Sequence, residues 1–133
     1  MCKVRVLLAD DHEGILAWVR AVLTLESDAF EIVGTVRDGR DAVEQVQHLD
    51  PDVLVIDISM PSLDGLQAVS RLSSNRRTKV VFLTLHEGRD FVAAAFAAGA
   101  SAYVLKSDMA QALVPAIREV LQGRTYISPS LQP

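Results

Sequence analysis

Val4-Arg5-Val6-Leu7-Leu8-Ala9, followed at once by Asp10-Asp11, is the stretch that decides the fold class of this chain. Apart from Arg5 the run is apolar on both faces, as a central strand of a parallel sheet must be when helices cover it above and below. Downstream, Ile15, Leu16, Val19, Val22 and Leu23 fall at i, i+1, i+4, i+7 and i+8, one stripe on a 3.6-residue helix able to cover a sheet face. The alternation then repeats. Phe30 to Val36 reads as a second strand, and Ala42, Val43, Val46 and Leu49 as a helix ending before Asp50-Pro51. Val53 to Ile56 reads as strand three, and Leu66, Val69 and Leu72 mark a short helix. Val80 to Leu83 gives strand four, Phe91 to Ala98 a helix stopped by Gly99, and Tyr103 to Leu105 strand five. A last helix starts near Ser107 or Asp108, both plausible N-caps, and puts Ala110, Leu113, Val114, Ile117, Val120 and Leu121 on one face before Gly123. Pro115 lies inside it and predicts a lost backbone bond and a kink. Five strand–helix units in sequence predict an all-parallel α/β sheet with right-handed crossovers and helices on both faces.

At 133 residues the chain fits one domain, large enough to bury roughly two-thirds of its unfolded surface. Half its residues are hydrophobic and 23% charged, so no segment is biased enough for disorder. The single Cys2 excludes an intrachain disulfide and leaves no zinc set, which suits a reducing, cytoplasmic setting. Val6 to Ala9 is too short for a signal-peptide core or a membrane span. A net charge of -4 argues against nucleic acid as this chain's own ligand, and the cluster Arg76, Arg77, Lys79 reads as a solvated turn. The tail from Gly123 to Pro133 carries turn residues and no periodicity, so it reads as the start of a linker.

Ligands of open parallel sheets bind outside the carboxyl ends of the strands. There this sequence places Asp10 and Asp11 after strand one, Asp57 after strand three, Thr84 at the end of strand four and Lys106 after strand five. A lone Asp in such a place is usually a helix N-cap. Three carboxylates on one rim repel one another, however, and call for a cation; oxygen-only donors favour Mg²⁺ over zinc or copper. Lys106 could be a snorkelling surface residue, but opposite three acids it favours an anion contact.

Four segments, Leu8-Ala9-Asp10-Asp11-His12, Asp57-Ile58-Ser59-Met60-Pro61 with Asp64-Gly65, Leu83-Thr84-Leu85-His86, and Ala98-Gly99-Ala100-Ser101-Ala102-Tyr103-Val104-Leu105-Lys106, resemble response-regulator receiver domains of two-component systems. The resemblance spans nearly the whole chain. The Thr-Leu-His run and Gly123-Arg124-Thr125-Tyr126-Ile127-Ser128-Pro129 are similar to the NarL/FixJ subgroup, whose output domains are of the LuxR type. It implies a flavodoxin-like doubly wound (βα)5 three-layer sandwich, with a five-stranded parallel sheet in the order 2-1-3-4-5. It also implies a receiver domain over residues 1–122, with 123–133 a tail or the start of a linker to an output domain that this chain lacks.

The resemblance implies roles as well. Asp57 would take a phosphoryl group from a sensor histidine kinase or a small phosphodonor and form an acyl phosphate. Asp11, Asp57 and the Ser59 backbone carbonyl would hold Mg²⁺, with Asp10 acting largely through water. Lys106 and Thr84 would take the remaining phosphoryl oxygens. Thr84 and Tyr103 would form the switch, the ring turning inward on phosphorylation, and homodimers would follow. The domain would be no enzyme beyond catalysing its own phosphorylation and dephosphorylation. DNA would be reached only through the output domain, for transcription control. His12 and His86 read as loop residues and His48 as a solvated helix end, although in the family the positions of Ser59 and His86 influence phosphoryl-group lifetime. Two positions depart from the family pattern: Leu85 is bulkier than usual after the Thr, and Ser107 replaces a proline often preceded by a cis bond.

Other readings fit less well. A haloacid-dehalogenase phosphatase needs a second acid two residues after its nucleophile, and position 59 is Ser. A flavodoxin-like cofactor carrier needs a glycine-rich phosphate loop after strand one, and none is present. A stand-alone receiver acting by protein docking remains the alternative to a transcription regulator.

Overall fold

Alternate residues of β1 (Val4–Ala9) face opposite ways, and each set belongs to its own apolar cluster. Val6 and Leu8 pack with Val53, Val55, Val81, Leu83 and Val104 beneath α1 (Glu13–Glu26) and α5 (Met109–Leu121). Leu7 and Ala9 pack with Leu54, Ile56, Val80, Phe82, Tyr103 and Leu105 beneath α2 (Gly39–Leu49), α3 (Gly65–Ser70) and α4 (Arg89–Ala98). These two clusters make the three layers expected from strands apolar on both faces. The computed structural model describes residues 3–26, 28–73 and 76–132. Cys2, read as a lone thiol, and Pro133, the last residue of the expected tail or linker start, lie outside the described residues.

The sheet is parallel throughout and its order is β2-β1-β3-β4-β5-β6, with β2 at Phe30–Val36, β3 at Val53–Ile56, β4 at Lys79–Thr84, β5 at Ala102–Leu105 and β6 at Tyr126–Ile127. The expected five-stranded sheet is therefore corrected to six. Beyond α5, Gly123 turns the chain at φ 80, and Tyr126 and Ile127 pair with Ala102 and Tyr103. This pairing covers an edge whose backbone groups would otherwise need water. Two residues carry no periodicity, which is why the segment reads as a linker in sequence.

Arg5, the one charge in β1, donates to the carbonyls of Leu49 (2.8 Å) and Asp50 (3.0 Å), so it caps the carboxyl end of α2. Pro115 leaves α5 continuous from Met109 to Leu121. It occupies an exposed position, where water can serve the carbonyl that its missing N–H leaves without a donor. Asp108 is not the side-chain cap of α5 that its position suggests: Lys106–Asp108 form a 3-10 turn, and the carboxylate makes no capping bond.

Candidate phosphoryl-transfer site

Parallel register aligns the strand ends. Ala9 pairs with Ile56, Ile56 with Phe82, and Thr84 with Leu105, so Asp10, Asp57, Thr84 and Lys106 emerge together at one rim. The ladder continues into the site, with Asp57 N–H donating to the Ala9 carbonyl (3.0 Å) and Asp10 N–H to the Val36 carbonyl (3.1 Å). Both carboxylates are thereby held on rigid backbone. Asp57 is 5% and Asp10 4% exposed, whereas Asp11 is exposed.

Lys106 joins them. Its Nζ lies 2.9 Å from Asp10 Oδ2 and 3.0 Å from Asp57 Oδ2, and the residue is only 7% exposed. Burial alone pushes the pKa of this ammonium down, but hydrogen bonds to Asp10 and Asp57 and their charges outweigh burial and raise it. It is therefore a fixed cation. The other oxygen of Asp57, Oδ1, accepts from Ile58 N–H at 2.7 Å.

One carboxylate or imidazole atom each from Asp10, Asp11, His12 and Asp57 lie within 4.8 Å of one another. Three carboxylates and one ammonium sum to two negative charges, the complement of one divalent cation, and the hard oxygen donors suit Mg²⁺. His12, read in sequence as a bystander, places Nδ1 3.1 Å from Asp11 Oδ1 and 3.3 Å from Asp10 Oδ1. His86 is also more engaged than its loop position suggests: Nε2 lies 2.8 Å from Ser59 Oγ, and the ring stacks on Phe91 with centroids 4.1 Å apart. Helical and strand periodicity carry no signal for such loop-to-loop pairs.

Thr84 is fully buried, and its Oγ1 accepts from His86 N–H at 3.3 Å, which leaves the hydroxyl proton for another acceptor. Tyr103 already faces the core, at 0% exposure, and donates its hydroxyl to the His86 carbonyl at 2.7 Å. Burial, and then the charge of Asp57, pushes its phenol up to about 12. Leu85 is 71% exposed on a cleft that it shares with Asp11, Trp18, Arg37, Lys106 and Ser107, and the Lys106–Ser107 bond is trans.

Two glycines let backbone approach backbone here. A Cβ on Gly65 would stand 2.0 Å from the Asp57 carbonyl oxygen, and one on Gly39 2.0 Å from that of Leu63. Only glycine fits either contact.

Comparison with known proteins gives the same picture. The family described as "Response regulator receiver domain" matches residues 6–118. The transcriptional regulatory protein DegU of Brevibacillus brevis is 36% identical over 130 residues, which are 97% of this chain and 55% of that protein. The response regulator UvrY of Escherichia coli K12 is 36% identical over 126 residues, 94% of this chain and 57% of its own length. The chain therefore spans little more than half the length of these relatives. Among solved structures, the signal receiver domain of the putative response regulator NarL from Mycobacterium tuberculosis superposes with a TM-score of 0.87 at 32% identity, covering 93% of this chain and 100% of that one.

Proposed function

This chain belongs to the response regulator receiver family, in its NarL/FixJ branch, and from that premise we propose that it is switched by a phosphoryl group carried on Asp57. The observation that carries the assignment is the position of Asp57: 5% exposed at the end of a central strand, with Lys106 Nζ 3.0 Å from one oxygen and Asp10 bound to the same ammonium. A carboxylate oxygen of Asp57 attacks phosphorus. The new phosphorus–oxygen bond forms as the bond to the donor breaks, and the leaving group departs with its electron pair, as neutral imidazole when the donor is a kinase phosphohistidine whose other ring nitrogen carries a proton.

Asp10, Asp11, Asp57 and the Ser59 carbonyl would hold Mg²⁺, which when bound offsets the charge gathering on the transferring oxygens. Lys106 gives up part of its carboxylate pairing to take one phosphoryl oxygen. Thr84, whose proton is uncommitted, donates to another. The domain thus catalyses its own phosphorylation and, with water as acceptor, its own dephosphorylation.

Tyr103 couples this to the surface. Its hydroxyl holds the His86 carbonyl, and His86 N–H holds Thr84, so a hydroxyl drawn toward a phosphoryl group moves a loop that the ring already braces from below. The partners proposed are a sensor histidine kinase, a second copy after phosphorylation, and an output domain that regulates transcription, since the curated relatives extend well beyond the matched region. No helix among the described residues is long and apolar enough to cross a membrane, and we place the protein in the cytoplasm with its kinase's catalytic part.

Phosphoramidate with Mg²⁺ tests the assignment. Mass spectrometry should find one added phosphoryl group, on Asp57, and none on Asp57→Asn. Stoichiometric labelling of the Asn variant would move the acceptor elsewhere.

A further inference from the structure

The segment after α5 reads as a loose tail, yet it is fastened to the domain by side chains as well as by strand pairing. Tyr126 N–H donates to the Ser101 carbonyl (3.1 Å) and Ser128 N–H to the Tyr103 carbonyl (2.8 Å). Ser128 is fully buried. Its Oγ accepts from Leu105 N–H at 3.2 Å, taking a rung of the ladder that β6 is too short to fill, and donates to Asp108 Oδ2. Asp108 also receives the Ser130 backbone N–H (3.2 Å) and hydroxyl (2.8 Å). Bonds from Ser128 first and Ser130 second hold its carboxyl below the ordinary carboxylate range.

What lies between the two grips is Lys106. Leu105 precedes it, Asp108 follows it two residues on, and one buried hydroxyl touches both. The turn carrying Lys106 is only three residues long, set between β5 and α5 with the Met109 N–H on the Lys106 carbonyl, and its Asp makes no helix cap, which leaves that carboxylate to the tail. At its far end the lysine must keep Nζ within 3.0 Å of two separate carboxylates. Aim of that kind depends on a fixed backbone.

We propose that Ser128 and Asp108 are positioning residues for phosphoryl transfer at Asp57: through the Leu105–Asp108 turn they hold Lys106 where its ammonium can meet the phosphoryl group. This rests on the reading of Asp57 as phosphoacceptor. It adds that the tail belongs to the machinery rather than to a linker.

The test is a double-mutant cycle on the 133-residue chain, reading the rate of Asp57 labelling by phosphoramidate and Mg²⁺ over hours, at a temperature where circular dichroism shows every variant folded. Ser128→Ala should slow labelling on the order of tenfold, as a misplaced catalytic group does, and Ser128→Thr, which keeps the hydroxyl, should restore most of the rate. Asp108→Ala, at a partly exposed position, carries the same test if Ser128→Ala does not fold. In a Lys106→Ala background each substitution should change the rate by less than about twofold, because the group it positions is gone. A merely structural tail would slow labelling equally in both backgrounds, and that result overturns the proposal. So does an unchanged rate in the folded Ser128→Ala and Asp108→Ala proteins. Failure of the unsubstituted chain to label at Asp57 would instead overturn the phosphoacceptor reading, and this proposal with it.

Discussion

Replacing Gly65 by Ala adds one carbon where the structure has no room for it. Gly65 opens α3, and its N–H donates to the Ile58 carbonyl at 2.7 Å, which draws the β3–α3 loop against the Asp57 backbone. The new Cβ would stand 2.0 Å from the Asp57 carbonyl oxygen, 2.9 Å from its carbon and 3.0 Å from Ile58 Cα. All three are backbone atoms, so no side-chain rotation relieves the overlap. A tolerable contact requires about 1 Å of movement between α3 and the Asp57 backbone, and misplacement of that size costs about 10²-fold in rate. Overpacking costs about 1–3 kcal/mol, less up to about 1 kcal/mol returned by alanine's better helix propensity. At a net cost of about 2 kcal/mol the expected melting temperature falls by roughly 5–10 °C. Gly14 supplies the control, since it lies in α1 with nothing within 4 Å of its would-be Cβ. Single-turnover labelling by phosphoramidate and thermal melts read both effects. Gly65→Ala labelling within threefold of the unsubstituted protein, with Gly14→Ala unchanged, would refute the claim that this close approach sets the position of Asp57.

Mg²⁺ should raise the melting temperature, and Asp11→Ala should abolish the rise, because relief of repulsion among three carboxylates is linked to folding through binding; an unchanged metal response in the variant would place the cation elsewhere. Thr84→Val should still be labelled at Asp57 but lose the amide NMR shifts that beryllofluoride induces at Tyr103 and along α4; identical distant shifts at equal occupancy would rule out Thr84 as the coupler. Tyr103 titrates near 12 against an unfolded value of 10.0, so its contribution to stability is complete below about pH 10 and is lost as pH rises toward 12. A 295 nm titration should show a phenol ionising near pH 12, and Tyr103→Phe should remove it. If the late phase survives in that variant, the buried hydroxyl is not its source.

The sequence by itself determined the layers and the rim of the site. Strands apolar on both faces, helices with a single apolar stripe, and acids at the ends of strands one and three all rest on local spacing, which periodicity records directly. Asp10, Asp57, Thr84 and Lys106 could be brought together from topology alone, since parallel strands end on the same side. Only the tertiary structure decided how polar groups far apart in the chain pair off. Asp108 had a helix start within reach and was taken instead by Ser128 and Ser130, about twenty residues on, because a backbone edge at β5 drew that segment in. His86 found Ser59 across the mouth of the site, and Tyr103 lay already inside with its hydroxyl on the His86 carbonyl. A two-residue strand has no period, and a loop side chain has several partners of similar energy. Which one it takes depends on the register and packing of elements that only the folded chain brings into contact.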